Sequence, residues 1–316
     1  MDKLVPQYVS RRAALGRMGA VLGGAMMTDV LAANEHAHAA PESPGDQALR
    51  APAWYYQHFD ADYALEPPEE GFGGWKQAEF DFARNHTAVV VMHAWAAGHN
   101  PEDYPGWWRC VPYIPRANAV LREVFPDLLT AVRGSGLPLF HVVGGGEYYK
   151  GLPGYKHAVE IAGPAPAAPE RVPGDALRDK LDAFRNAHVF VGAHNAEDVN
   201  RGFAHLDFAP EARPQGDEGV AENAPQLLAL CKERGINHLI YCGFAINWCL
   251  LLSPGGMADM SKHGILCSAL RQATVAVENK DTAGRQLCKE IALWRVALAF
   301  GFVFDVDDFV SAIQRA

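Results

Sequence analysis

Cys249 has the clearest capacity for chemistry in this chain of 316 residues. The run Ile236-Asn237-His238-Leu239-Ile240-Tyr241-Cys242-Gly243 reads as a strand, and Phe244-Ala245-Ile246-Asn247-Trp248 carries the chain from it into a helix. Cys249 then falls in the first helical turn. Unpaired N–H groups and the positive end of the helix dipole favour a thiolate there and lower its pKa. The same kind of N–H group, at Ala245, Ile246 and Trp248, can hold an oxyanion. The alternative for Cys249 is a buried structural thiol, the reading that suits Cys231, Cys242 and Cys288. Two further strand ends carry polar residues: His93, next to Trp95, after the run 87–92, and His141, near the end of 137–143. No two of the six cysteines form a C-x-x-C pair, so zinc-ribbon and thioredoxin-type chemistry have no support.

These residues need a scaffold that brings strand ends together. Residues 87–92 are β-branched and apolar on both faces, which suits a central parallel strand. An amphipathic helix is expected over about 115–133, stopped by Gly136, then a strand at 137–143 ending in Gly144-Gly145-Gly146. Residues 150–215 are the least regular part, with a helix at 176–184 and a short strand at 188–191. After them come a helix at 224–234 capped by Gly235 and the strand before Cys249. A helix at 247–263 broken near Pro254, a strand at 265–270, a helix at 282–300 and a last edge strand at 302–304 complete the pattern. Alternating strands and helices predict an α/β fold, a doubly wound, Rossmann-like, mostly parallel sheet of about six strands with helices on both faces. Functional groups then belong at the carboxyl ends of the strands.

The chain divides into three parts. Residues 1–39 contain Arg11-Arg12, a mild apolar run and Ala37-His38-Ala39, and resemble a twin-arginine signal peptide with a cleavage site. That implies a periplasmic protein folded before export. The apolar run is too short and glycine-rich to span a membrane. Residues 40–86 read as linker and N-terminal extension, and 87–316 as the main domain. The net charge of -9 argues against nucleic acid and anionic membrane surfaces as partners.

The segment Tyr241-Cys242-Gly243-Phe244-Ala245-Ile246-Asn247-Trp248-Cys249-Leu250 resembles the nucleophile segment of the isochorismatase-like cysteine hydrolases, which include nicotinamidases and N-carbamoylsarcosine amidases. Leu270-Arg271-Gln272-Ala273-Thr274 is similar to the family's D-A-T segment, and Phe300-Gly301-Phe302-Val303 to its last strand. The likeness covers roughly residues 85–315. It implies an isochorismatase-like hydrolase domain, a small-molecule substrate with an amide-type C–N bond, a covalent Cys249 intermediate, no cofactor and a homo-oligomer. The family's catalytic set is Asp, Lys and Cys, and the chain departs at two of the three. His93 stands in the place of the Asp, and Glu222 falls where the Lys is expected; Lys180 is a remote substitute. Ile246 replaces a family Thr and Gln272 the Asp of D-A-T.

A histidine beside the cysteine can fill the vacant roles, as base for the thiol and then as imidazolium beside the thiolate. Glu222 would orient the imidazole, completing a Cys-His-acid arrangement. Trp95, His141 and Asn247 are the candidate pocket residues. One branch of the family binds a metal, and His93, His99 and Asp103 are the candidate ligands here; their spacing matches no tight motif, and no metal is expected. The competing reading is a non-hydrolytic relative that keeps the fold for binding.

Overall fold

The computed structural model describes residues 48–96, 101–111, 113–164, 167 and 170–315. The twin-arginine segment and His99 lie outside the described residues. Eight strands form one sheet: β1 (Ala48–Gln57), β2 (Gly74–Ala83), β3 (Thr87–Met92), β4 (Leu139–Val142), β5 (Gly219–Ala221), β6 (His238–Phe244), β7 (Leu266–Val275) and β8 (Val303–Phe304). The described helices are α1 (Pro105–Cys110), α2 (Ile114–Glu123), α3 (Phe125–Ser135), α4 (Pro153–Ala162), α5 (Ala176–His188), α6 (Ala193–Ala204), α7 (Ala224–Arg234), α8 (Met257–Met260), α9 (Leu287–Ala299) and α10 (Val306–Gln314).

The strand order is β2-β1-β8-β7-β6-β3-β4-β5, and β3 to β8 run parallel. Every residue of β3 and β6 is buried, as their apolar two-faced runs require. Val89 and Val91 pack on one face with Leu121, Phe125 and Phe309, from α2, α3 and α10. Val90 and Met92 pack on the other with Ala158, Leu227 and Leu293, from α4, α7 and α9. The α/β class with helices on both faces is thus as expected, and no described helix is long and apolar enough to cross a membrane.

Several local expectations are corrected. The sheet has eight strands rather than six, because residues 48–83 form an antiparallel hairpin that extends it. β1 and β2 alternate inward Leu49, Ala51, Phe80 and Phe82 with outward Arg50, Glu79 and Asp81, a period-two pattern of half-buried strands. Because β1 pairs with β8, the 302–304 strand is interior and not an edge. The single helix at 115–133 is two helices, since Pro126 lacks an N–H and its ring meets the carbonyl four residues back. Residues 188–191 do not form a strand; α5 runs on to His188, and Val189 and Phe190 are exposed beyond it. The last long helix begins at Leu287 rather than 282.

Candidate active site

The strand order reverses between β6 and β3. From β3 the chain passes to β4 on one side, and from β6 to β7 on the other. Loops leaving a reversal point diverge, which opens a crevice at the carboxyl ends of the two strands. His93 follows β3 and Cys249 lies five residues beyond β6, so the two flank this point. The β3–β6 pairing runs from Thr87–His238 to Met92–Gly243. Gly243 is required there: its φ is 115°, and a Cβ would come to 2.0 Å from the Met92 carbonyl oxygen.

Cys249 sits in a π-helical turn, Ile246–Leu250, in place of the regular helix expected over 247–263. Its thiol is half-buried, whereas Cys231, Cys242 and Cys267 are buried, with burial pushing their thiols up. The turn is anchored by Asn247. Its amide donates to the Val277 carbonyl at 2.8 Å and accepts from the Val277 N–H at 2.9 Å. Asn247 is therefore a positioning residue, and both ends of its amide are occupied, contrary to its expected place in the pocket. The Trp248 N–H donates to the Ala245 carbonyl at 3.1 Å, which removes it from the expected oxyanion donors.

His93 has φ 51°, a left-handed conformation uncommon for a residue with a side chain. Its ring stacks on Trp95 with centroids 4.5 Å apart and planes 14° from parallel. The Trp95 indole N–H donates to the Tyr148 hydroxyl at 2.8 Å, and Tyr148 packs edge-on against Phe208. Trp95 thus holds the histidine ring. Burial lowers the His93 pKa to about 4, against an opposing backbone hydrogen bond at Val143. The ring is neutral near pH 7, so an imidazolium beside a thiolate is not the resting state. Nδ1 of His93 is buried without a hydrogen-bond partner, and no hydrogen bond among the described residues joins His93 to Cys249.

Glu222 does not orient His93. It follows β5, two strands from β3 in the sheet, and no hydrogen bond among the described residues joins it to His93. Its carboxylate accepts from the Tyr149 hydroxyl at 2.7 Å and the Tyr155 hydroxyl at 2.8 Å. Burial alone would raise its pKa, but these bonds outweigh it and leave the carboxyl below its ordinary value. His141 is likewise withdrawn from the pocket. It is buried in β4, and its Nε2 lies 2.8 Å from Glu218, which also accepts from Arg133 at 2.6 Å and from the Gln215 N–H at 3.0 Å. Against burial, these bonds bring Glu218 down to about 2.

Tyr113 is a residue that sequence reasoning missed. It lies within electrostatic reach of Cys249, and burial raises its pKa above the ordinary tyrosine value, so it is a neutral O–H donor. Its only signal was an aromatic residue just before a helix, which is common in cores. Among the described residues, no group of three or more His, Cys, Asp or Glu side chains could hold a metal.

No protein-family model matches the chain. A curated relative, the ureidoacrylate amidohydrolase RutB of Serratia proteamaculans, is 29% identical over 120 residues, which is 36% of this chain and 45% of that protein. The chain thus matches less than half the length of this relative. Among solved structures, a cysteine hydrolase from Pseudomonas syringae pv. phaseolicola is similar at 15% identity and a TM-score of 0.42, covering 74% of this chain and 95% of that one. An isochorismatase-like hydrolase from Alkaliphilus metalliredigens gives 18% and 0.41, covering 72% and 97%. N-carbamoylsarcosine amidase from Thermoplasma acidophilum gives 15% and 0.37, covering 70% and 96%.

Proposed function

We propose that this chain is a divergent isochorismatase-like cysteine hydrolase that cleaves a small amide-type C–N bond, with Cys249 as nucleophile and His93 as general base. The observation that carries this reading is the placement of a half-buried thiol and a neutral histidine after the two adjacent strands that flank the reversal point of the sheet. The partial match to an amidohydrolase supports the bond type.

His93 Nδ1, buried and unpartnered, takes the thiol proton as Sγ bonds to the carbonyl carbon. The imidazolium then returns that proton to the departing amine as the C–N bond breaks. Water attacks the resulting thioester and releases the acid and the thiol. The N–H groups of Ala245 and Ile246 and the Tyr113 hydroxyl serve the oxyanion. Burial disfavours imidazolium, so the proton moves only as the Sγ–C bond forms. A panel of small amides and ureido compounds tests this with purified protein: one substrate turned over by wild type and not by Cys249→Ala supports it, and thiol-independent turnover sinks it.

The missing hydrogen bond between His93 and Cys249 favours a second reading, binding without turnover. Ligand binding that survives Cys249→Ala, with no product formed by wild type, would select it. Export by the twin-arginine route belongs to the same proposal. Lysines at Arg11 and Arg12 should leave the precursor in the cytoplasm, and unchanged periplasmic yield would remove it.

A further inference from the structure

Two exposed surfaces of this chain complement each other and lie at opposite edges of the sheet. The first is α5, which has no buried residue. Leu177, Leu181 and Phe184 form one stripe at i, i+4 and i+7, exposed at 71%, 67% and 63%. The apolar surface continues past the helix: Phe190 meets Trp248 edge-on at 5.2 Å, beside Cys249, and both are over 40% exposed. Leu252, exposed at 74%, adds to these apolar side chains. A group of exposed apolar side chains of this kind, rimmed by charge, is the form an interaction surface takes. On a helical projection Lys180 borders the stripe on one side and Arg178 and Arg185 on the other, while Asp179 and Asp182 lie further round. Arg178 is shared with Asp182 at 2.9 Å; Lys180 and Arg185 have no ion-pair partner among the described residues.

The second surface is the loop 58–73 between β1 and β2. It holds Asp60, Asp62, Glu66, Glu69 and Glu70, with no Lys or Arg. It also exposes Phe59 at 56% and Tyr63 at 88%. The loop is ordered by its own bonds, Asp62 N–H to the Pro68 carbonyl at 3.0 Å and Leu65 N–H to the Asp62 carbonyl at 2.9 Å, so docking it costs little ordering entropy.

We propose that the acidic aromatic loop of one copy of this chain docks on the basic-bordered apolar face of α5, Phe190 and Trp248 of a second copy. The two surfaces cannot meet within one chain. β1 runs antiparallel to β8, so the loop emerges at the amino edge of the parallel strands, while Trp248 lies at the carboxyl edge. α5 paired with α5 of another copy would oppose Lys180 and Arg185 to their like. A twofold axis that makes one of these contacts makes the other as well, so the pair is closed. Each copy's loop then walls the partner's Cys249 crevice beside Trp248.

Sedimentation velocity and light scattering on the full chain test this. Wild type should be a dimer at micromolar concentration and loosen with salt. The reversal pair Lys180→Glu/Arg185→Glu, and separately Glu69→Lys/Glu70→Lys, should each weaken dimerisation about tenfold or more. Equimolar mixing of the two variants should restore association, because each then presents one swapped surface to the other. All four positions are exposed, so unchanged circular dichroism should accompany the loss. A monomeric wild type, or a dimer indifferent to both reversal pairs and to Leu181→Asp, overturns the proposal. So does a face that binds anionic vesicles through Lys180 and Arg185 while the chain stays monomeric.

Discussion

The carboxyl ends of β3 and β6 differ from those of β4 and β5 in how fully their polar groups are engaged. At β4 and β5, Glu218 takes hydrogen bonds from His141, Arg133 and a backbone N–H, and Glu222 is held by two tyrosines. At β3 and β6, His93 keeps an unpartnered ring nitrogen and Cys249 a half-buried thiol. Bonded charges hold a fold together, whereas a polar atom left unpaired in a buried place is available for a reaction. Glu222, the Trp248 N–H and both ends of the Asn247 amide are engaged in the fold by this criterion; His141 also keeps an unpartnered Nδ1, but it is fully buried in the sheet with Nε2 on Glu218.

Cys249→Ala breaks the comparison most sharply: hydrolysis should fall to background, while thermal stability changes little. His93→Ala should lower kcat/KM by about 10²–10⁴-fold. The acid limb of kcat/KM in wild type should lie near pH 4 rather than 6.5, because burial holds His93 neutral down to that point. An acid limb at 6.5 would place the working base elsewhere.

On the engaged side the expected effect is on stability. Glu218→Gln should destabilise the fold by about 1–3 kcal/mol, the cost of leaving partly buried hydrogen-bonding groups unsatisfied, without altering the pH profile of activity. Wild-type stability should also decline on acidification, in two windows. His93 and His238 bind fewer protons folded than unfolded, since burial lowers both to about 4. Their contribution is complete above about pH 6.5 and is lost as the pH falls toward 4. Glu218, depressed from 4.5 to about 2, contributes above 4.5 and loses that contribution below it. Melting temperature against pH reads both windows. The smallest effect is expected at Tyr113: Phe there should slow turnover about tenfold, one neutral hydrogen bond, with little change in melting temperature.

What the sequence could disclose follows the range of the interactions. β3 and β6 were legible because a buried parallel strand must be apolar on both faces, and α7 because Gly235 caps it. Cys249 was legible from the strand-to-helix context of its own neighbours. β5 was missed because three residues beginning with glycine carry no period. The hairpin strands were missed because their alternation mixes aromatic, charged and proline residues. The side-chain partners of Glu218 lie 77 and 85 residues away and those of Glu222 lie 67 and 73 away, so no spacing in the chain connects them. The likeness that suggested Glu222 for the lysine position supplied a place in the chain, and the tyrosines decide what that place does.

The hairpin has a further consequence for anyone who would trim the protein to its α/β core. β8 pairs with β7 on one side and, through Trp54 and Val303, with β1 on the other; the Trp54 indole also donates to Asp305 at 2.6 Å. The outer border of the sheet is β2, where Lys76, Glu79 and Asp81 stand exposed. Charges on a border strand discourage edge-to-edge joining of molecules. Deleting residues 48–83 would replace that border with Val303 and Phe304, uncharged and uncovered, so the shortened protein should be a poor candidate for soluble expression or long storage.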